Sequence, residues 1–464
     1  MGVIQLLRLR TGILVLVAVV FMAAQAFAEP IQLDWDKAWK LALERSEQVA
    51  SARDEIAKAD HQIGEAYSAA MPTVDVTGVM QHYFMLPEMI MILPGALMGS
   101  GDSTSGPPPD IRLKTKRGTE NTANASIDIN QPLYTGGKLG IALELAKIYS
   151  EISKLGLKVT WEELRLALVR IFYGALLTEE YMAVSNEAIT QAERHYRQAQ
   201  NLFDQGMVSE YDLIRANVAV ANLRPQVLEA ETARDMAYKG LLHMIGMDID
   251  SEVELTGNLE ITPENLLDYD AAVKAAMSNR DEFTQLGLQA EMYEGQYKIE
   301  KHSTLWPNVI LNMKYETMAQ ADDMNISKYE FLGGFGGSLI VQIPLFDGFA
   351  SKHKAETALI NKRSVYRQRE LLERGVKIQV FEAQGNYRKA TERLKAARET
   401  LSQATRGSEI AEVRYKEGVG TQLELLDSEL QVNNSKVNVL QAQYDLRVAE
   451  ATFRRAMGSG VGSD

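Results

Sequence analysis

The chain has 464 residues and a formal net charge of −13, with 62 acidic side chains against 49 basic ones. This acidic excess argues against nucleic acid as a partner, because phosphate backbones are bound by lysine and arginine. Cysteine is absent, which excludes disulfides, thiolate metal sites and a lipid-bearing N-terminal cysteine.

The first 28 residues have the pattern of a secretory signal peptide. Arg8 and Arg10 form a basic start, residues 13–24 are apolar, and residues 26–28 read Ala-Phe-Ala, a small-residue cleavage site. The apolar run is shorter than the roughly 20 residues that a membrane-anchoring helix needs. We therefore expect export and cleavage, and loss of the two arginines leaves a net charge of −15.

The rest of the chain contains two copies of one pattern. We assign a first repeat to residues 29–246, a connecting segment to 247–267, a second repeat to 268–458 and a tail to 459–464. Each repeat consists of an opening helical pattern, two strand signals, a long helical pattern and a return helical pattern. The internal duplication is therefore the main organising feature.

The opening patterns start at Asp34 and Asp268, and each predicts one helix of about 37 residues. Pro72 and Pro307 follow these helices. Proline ends a helix and favours an extended backbone before it, so a strand is expected next in both copies.

Two strand signals follow in each copy, at 72–84 and 120–131 and then at 307–318 and about 329–343. The alternation is cleanest at 123–130, where alanine or isoleucine alternates with asparagine, serine or aspartate. Strands of about ten residues span a bilayer when tilted, although alternation alone also fits a soluble sheet with one wet face. Two hairpins would form a poor core for a soluble domain of this length, so we favour membrane strands.

The first hairpin carries 23 more residues than the second. The extra residues lie near 85–118, with an apolar, Met-rich part at 85–98 followed by a Gly-Ser-Pro part. We expect a long loop at the outer end of the hairpin, with its apolar part either on the membrane or folded toward a pore mouth.

A twelve-residue hinge joins the second strand of each copy to its long helix. Residues 127–138 read Ile-Asp-Ile-Asn-Gln-Pro-Leu-Tyr-Thr-Gly-Gly-Lys, and residues 339–350 read Leu-Ile-Val-Gln-Ile-Pro-Leu-Phe-Asp-Gly-Phe-Ala. Proline cannot donate to a ladder and fits a strand end, while glycine permits a turn. The predicted hinge residues are Pro132, Gly136, Pro344 and Gly348.

Each hinge leads into a very long helical pattern, at 138–203 and 350–416. Such a helix is about 100 Å long at about 1.5 Å per residue. Each pattern ends in a glycine turn, and the tip residues of the two turns are Gly206, Met207, Val208 and Ser209, then Gly418, Val419, Gly420 and Thr421.

A return helical pattern runs from each tip to Gly246 or Gly458. It carries two separate apolar seams, whereas a simple coiled pair has one. Two seams indicate neighbours on both sides, as in a closed ring of helices. Pro225 is expected to kink the first return helix, and residues 247–267 to form an irregular connection outside the rod of helices.

The strand count predicts the number of chains. Four membrane strands cannot close on themselves, and open sheet edges are not tolerated in lipid. Two chains would give an eight-stranded barrel that its own side chains fill, whereas three chains give twelve strands and room for a channel. We therefore expect a homotrimer.

The hinge motifs, the duplicated order of elements and the second tip resemble the TolC-like outer-membrane efflux proteins across essentially the whole mature chain. The resemblance implies an α+β membrane protein, in which a trimeric twelve-stranded transmembrane β-barrel, with four strands per chain, continues into a long periplasmic α-helical barrel. It also implies a passive exit duct of a tripartite efflux or type I secretion system, energised by an inner-membrane pump through a periplasmic adaptor. The alternative is a periplasmic coiled-coil scaffold without channel activity.

Glu424 and Asp427 lie three positions apart on one helix face, just inside the second tip. Counted back from Gly458, they fall where the family's tunnel is narrowed by acidic residues. The resemblance thus implies a ring of six carboxylates from three chains, which would favour cations. Thr421 and Glu424 also have the spacing of a capping box, so a plain helix cap is the alternative for Glu424.

The tip residues are expected to contact the adaptor, the alternative being an ordinary turn between helices. No catalytic, cofactor or metal site is predicted. The glycines at 136–137 lack the remaining residues of a phosphate-binding loop, and those at 333–337 lie in a strand signal and open no helix. The six histidines are scattered, and no two of them are four positions apart.

Overall fold

The computed structural model describes residues 31–93, 111–116, 118–265, 267–323, 325 and 329–459. The predicted signal peptide at 1–28 lies outside the described residues, as do residues 94–110 and 117 of the insert and residues 460–464 of the tail. The chain divides into two compact units. Unit 1 holds the described residues up to 57, then 151–287, and those from 366 onward; unit 2 holds 58–150 and 288–365.

Unit 1 is mainly helical. Its helices in chain order are α1 (Trp35–Arg45), the first part of α2 (Glu47–Ser68), most of α3 (Lys138–Asp204), α4 (Glu210–Met244), α5 (Tyr269–Asn279), the first part of α6 (Asp281–Lys301), most of α7 (Ala350–Lys416) and α8 (Gln422–Ala456). Two short strands, β1 (Ile31–Leu33) and β6 (Val253–Leu255), pair in parallel.

Unit 2 contains the main sheet. Its four antiparallel strands lie in the order β2 (Thr73–His82), β5 (Asn121–Thr135), β7 (Asn308–Ala321) and β8 (Leu332–Gln342). A separate antiparallel ladder joins β3 (Glu88–Leu93) to β4 (Ile111–Lys116). Each repeat supplies one hairpin of the main sheet, and the two hairpins join through β5 and β7.

The lengths of the helices repeat between the two copies. The long helices α3 and α7 have 67 residues each, and the return helices α4 and α8 have 35 each. The long helices match the predicted ranges to within one residue, and α4 runs on through Pro225 as a single helix. Within the described ranges, no helix has an apolar stretch long enough to cross a membrane.

The prediction of a single opening helix in each copy is wrong. The backbone is extended at Ser46, between α1 and α2, and at Arg280, between α5 and α6. A tertiary contact explains both breaks. A Cβ on Gly246 would lie 2.7 Å from Cβ of Arg45, and a Cβ on Gly458 would lie 2.9 Å from the backbone nitrogen of Arg280. The end of each return helix therefore packs against the interruption.

The predicted long loop at 85–118 is also wrong for the residues described. Six residue pairs, from Glu88 with Lys116 to Leu93 with Ile111, form the β3–β4 ladder. Residues 88–93 are rich in isoleucine and methionine, and a strand suits such side chains better than a solvated loop does.

The predicted irregular connection at 247–267 contributes to the core instead of lying outside the helices. Its strand β6 pairs with β1, and Leu255 and Leu259 are buried in the largest apolar cluster, together with Leu168, Phe172 and Leu241. Burying these leucines removes their apolar surface from water, which explains why the segment folds back onto the helices.

An ionic network joins three helices of unit 1. Arg455 on α8 lies 2.9 Å from carboxylate oxygens of both Glu162 on α3 and Glu282 on α6, and Arg280 donates to Glu282 at 2.9 Å. Burial alone would raise the pKa of Glu282, but hydrogen bonds from Arg280 and Arg455 outweigh it and lower that pKa to about 2. Burial dominates at Glu162 and raises its pKa.

Candidate functional site

The first hinge forms where strand β5 loses one of its two neighbouring strands. Strand β2 pairs with β5 only as far as Asn130, so β5 has β7 as its one neighbour around Pro132. The ladder with β7 shifts register between Pro132 and Tyr134. A residue without an N–H fits such an irregular edge. In the second copy β8 ends at Gln342, two residues before Pro344.

Side chains in the hinges cap the long helices at equivalent positions. Oγ1 of Thr135 accepts from the backbone N–H of Leu139 at 3.4 Å, and the carboxylate of Asp347 accepts from that of Ser351 at 2.8 Å. The Ser351 hydroxyl also donates to Asp347, and this bond lowers the pKa of the Asp347 carboxyl. In both copies the capping side chain lies four positions before the backbone N–H from which it accepts. Sequence reasoning missed this capping signal.

The hinge glycines Gly136 and Gly348 adopt φ of +66° and +68°, the left-handed region that favours glycine. Their surroundings differ. A Cβ on Gly136 would lie 2.9 Å from Cβ of Trp306, whereas nothing lies within 4 Å of one on Gly348.

The tip turns are also left-handed at glycine, with φ of +74° at Gly206 and +71° at Gly418. Backbone N–H groups just past each glycine return to the last helical turn: Met207 donates to Leu202 at 2.8 Å and Val419 to Arg414 at 3.0 Å. This is the glycine-terminated helix end that satisfies the last carbonyl groups. Met207 and Val419 are 69% and 70% exposed, so each tip presents an apolar side chain to solvent.

A capping box starts each return helix. The N–H of Asp212 donates to Oγ of Ser209, and the N–H of Glu424 donates to Oγ1 of Thr421, both at 3.2 Å. In return, the carboxylates of Asp212 and Glu424 accept from the backbone of their capping residues. Glu424 therefore does act as a cap, and its carboxylate also lies 3.8 Å from the guanidinium of Arg414.

Asp427 has no such structural role. Its side chain is exposed and makes no hydrogen bond or ion pair within the described part of the chain. No hydrogen bond joins it to Glu424 there either, although the two carboxylates belong to consecutive turns of α8. The equivalent residue of the first copy is Arg215, which lies over the ring of Tyr211 at 4.6 Å. The second acid is therefore specific to the second tip.

A polar contact that sequence reasoning missed joins α3 to α8 farther from the tips. Nε2 of His195 lies 2.8 Å from Oε1 of Glu429, which also accepts from Gln191. Nearby, Lys436 pairs with Glu187 at 2.6 Å. No local signal marks these contacts, because each joins residues of different repeats. At the repeat spacing, His195 and Glu429 correspond to Gly407 and Asn217, which cannot form the same contact.

The main sheet has one apolar and one polar face, because residues paired across antiparallel strands share a face. One apolar row consists of Val76, Ile127, Tyr315 and Phe335. The adjacent row on the other face consists of Asp75, Asp128, Lys314 and Gly336. The apolar face is not covered within the described chain, and Val76 and Phe335 are 76% and 74% exposed.

Exposed aromatic side chains lie at both ends of this sheet. Phe84 follows the end of β2, Phe331 precedes the start of β8, and both are exposed at the end of the sheet remote from the hinges. Tyr134, Trp306 and Phe346 are exposed at the hinge end. An apolar band flanked by aromatic residues is typical of strands that cross a bilayer.

The sequence matches the family model for outer membrane efflux proteins over residues 38–247 and 272–459, which correspond to the two copies of the repeat. It is also similar to the cobalt-zinc-cadmium resistance protein CzcC of Cupriavidus metallidurans, with 23% identity over 170 residues. That match covers 35% of this chain and 41% of CzcC, so it spans less than half of that relative.

Two solved structures share the fold over most of their length. The outer membrane protein VceC of Vibrio cholerae gives a TM-score of 0.66 at 14% identity, with 92% of this chain and 96% of VceC covered. The MtrE outer membrane channel of Neisseria gonorrhoeae gives 0.69 at 16% identity, with 92% and 89% covered.

Proposed function

Because the chain belongs to the outer membrane efflux protein family, we propose that three copies of it form a passive exit duct across the outer membrane. The observation that carries this proposal is the two-faced sheet of unit 2. Its apolar face is exposed in the single chain. In a membrane, lipid covers this apolar face while the polar face lines the water-filled interior.

The dimensions of the sheet fit a bilayer. Strand β2 has 10 residues, which span about 33 Å at about 3.3 Å per residue. With a tilt of about 40° its height is about 25 Å, the height of the apolar band of transmembrane barrels. The aromatic side chains at both sheet ends then lie at the two membrane interfaces.

The trimer follows from the sheet edges. Strands β2 and β8 are the outer strands of the four-stranded sheet, and each leaves a row of backbone groups that lipid cannot satisfy. Pairing β8 of one chain with β2 of the next closes a barrel, and three chains give the twelve strands of a water-filled channel. The helices of the three chains form a ring in the periplasm.

The tips supply the contact to the energy source. In this proposal a periplasmic adaptor binds the tip residues 206–209 and 418–421 and links the duct to an inner-membrane pump. The exposed Met207 and Val419 side chains support an apolar contact there. Glu424 and Asp427 form the acidic constriction just inside these tips.

Membrane fractionation followed by planar-bilayer recording tests the duct. We expect the protein to need detergent for extraction and to form ion-conducting channels after reconstitution. A periplasmic scaffold, the competing function, would be released as a soluble protein and would conduct no ions. Either of those two results would overturn the duct.

A further inference from the structure

The β3–β4 ladder is an exposed element that the duct does not use. Its register places Met89, Met91 and Leu93 of β3 on one face with Ile111, Leu113 and Thr115 of β4. On the opposite face, Ile90 and Ile92 of β3 lie beside Lys114 and Arg112 of β4. Strand β3 is thus apolar on both faces beyond Glu88, whereas β4 is apolar on one face and cationic on the other.

The cations form a row. Arg112, Lys114 and Lys116 alternate along β4 and share one face. Glu88 is the one acid of the ladder and lies 3.9 Å from Lys114, so this face keeps a net positive charge in a chain whose net charge is −13.

The ladder is open to solvent in the described chain. Ile90 and Ile92 are 54% and 53% exposed, and Met91 and Leu113 on the other face are 47% and 43% exposed. It extends the first hairpin at the end remote from the hinge, where the fully exposed Phe84 also lies. The second hairpin has no such ladder among its described residues.

The two-sided exposure decides what can cover the ladder. A flat protein surface would cover one face of β3 and leave the isoleucines or the methionines of the other face in water. The boundary between acyl chains and headgroups surrounds an embedded strand on both faces, and it offers phosphates to basic side chains that reach outward. The charge row of β4 complements such phosphates.

We propose that the β3–β4 ladder lies in the hydrated headgroup region of an anionic leaflet, where water reaches its backbone edges, with the side chains of β3 toward the acyl chains and those of Arg112, Lys114 and Lys116 on lipid phosphates. The inference rests on the proposed membrane position of the sheet. It goes beyond the duct function because it assigns a lipid-binding element to the insert of the first repeat.

The absence of cysteine makes a site-specific test direct. Met91→Cys places a nitrobenzoxadiazole dye on the apolar face of the ladder, and Val76→Cys places the same dye on the apolar face of the main sheet. Each labelled full-length protein is reconstituted in vesicles of phosphatidylcholine alone, or of phosphatidylcholine and phosphatidylglycerol in equal parts. Quenching by spin-labelled lipid reports contact with lipid, and quenching by iodide reports contact with water.

We expect lipid quenching of the Met91 dye to be stronger in anionic vesicles and to fall in high salt, which screens charge. Exchanging Arg112, Lys114 and Lys116 together for glutamine should lower the ratio of docked to undocked ladders about a hundredfold, since each basic residue contributes about a factor of five at an anionic surface. The matched control exchanges Arg367, Lys395 and Arg398, three exposed cations of α7, for glutamine and should leave the quenching unchanged.

Three results would overturn the proposal. Equal lipid quenching in both vesicle types, unaffected by salt, would show that the negative charge of the leaflet is not recognised. A Met91 dye shielded from both lipid and iodide would show that protein covers the ladder, and one open to iodide would show that water does. The salt titration needs no charge variant, so it decides the case even if the triple variant does not fold. A lipid-quenched Val76 dye keeps the proposed duct intact in all three cases, whereas an unquenched one would remove the duct as well.

Discussion

Two acids near the second tip differ in the role that the fold gives them. Glu424 closes a capping box and lies near Arg414, whereas Asp427 makes no bond in the described chain. A cap needs an acceptor at this position, and glutamine supplies one as well as glutamate does. Charge can therefore be removed from both positions with the helix start preserved.

We predict that Glu424→Gln combined with Asp427→Asn weakens cation selectivity and block by multivalent cations. If the carboxylates of three chains line a constriction, their loss removes the local negative potential. Stability should change by less than about 1 kcal/mol, because exposed charges contribute little to folding. Planar-bilayer recordings and thermal melts measure the two quantities.

The matched control for the acidic pair is Glu399→Gln combined with Asp235→Asn, which removes the same two charges from exposed helix positions. The control channel should keep the selectivity of the parent. If the variant at 424 and 427 also keeps parental selectivity and block, neither acid lines the conducting path.

At the first residue of the second tip, we predict that Gly418→Val impairs efflux while the protein still reaches the membrane. Gly418 has φ of +71°, and a Cβ there would contact nothing within 4 Å. The cost is therefore conformational, about 1–2 kcal/mol for a side chain in the left-handed region. Asparagine tolerates that region, so Gly418→Asn should retain efflux. If the valine variant shows normal efflux at normal surface levels, the turn at Gly418 does not take part in adaptor docking.

At the scale of elements, the network around Arg455 joins α3, α6 and α8. Its two acids have opposite pKa shifts, since Arg280 and Arg455 together lower the pKa of Glu282 and burial raises that of Glu162. The charged form is thus favoured by the fold at Glu282 and disfavoured at Glu162. The same neutralising substitution should have unequal effects at the two positions.

We predict that Glu282→Gln lowers the stability of the helical unit by about 2 kcal/mol at neutral pH, because it removes the carboxylate partner of Arg280 and leaves Arg455 with Glu162 alone. Since the pKa of Glu282 falls from 4.5 to about 2 on folding, its stabilisation is complete above pH 4.5 and is lost as the pH falls through 2. The difference from the parent should shrink over that window in thermal melts. Glu162→Gln should cost less at neutral pH, and a cost equal to that of Glu282→Gln would contradict this account.

The elements divide into those that the sequence could predict and those that it could not. The long helices, the main strands and the tip turns depend on local period and on glycine, and their bounds agree closely with the structure. The breaks at Ser46 and Arg280 depend on contacts with Gly246 and Gly458 at the far end of each repeat. The local sequence pattern around Ser46 and Arg280 does not indicate these distant contacts.

Three other features of the fold are not predicted by the sequence. The β1–β6 pairing involves three residues in each strand, too few for a period to be visible. The contact between His195 and Glu429 joins different repeats, so neither copy predicts it. The β3–β4 ladder is not predicted, because the Gly-Ser-Pro residues that follow the Met-rich part are typical of a long loop.

At the scale of the whole molecule, we predict that detergent-extracted protein is a trimer. Three is the smallest number of chains that provides both paired outer strands and a barrel wide enough for a channel. Native mass measurement should give about three times the chain mass of 51.6 kDa, less the mass of the predicted signal peptide. A stable monomer or dimer in mild detergent would be incompatible with the barrel.

The duplication within the chain also limits what one mutation can do. In a trimer each residue of the chain occurs three times around the ring. Each hinge or tip position occurs six times, because the chain contains two copies of the repeat. A single substitution therefore changes three of the six equivalent positions and leaves the other three unchanged. Selection can thus adjust one copy while the other maintains the function, and Arg215 and Asp427 are two equivalent sites where the copies have already diverged in charge.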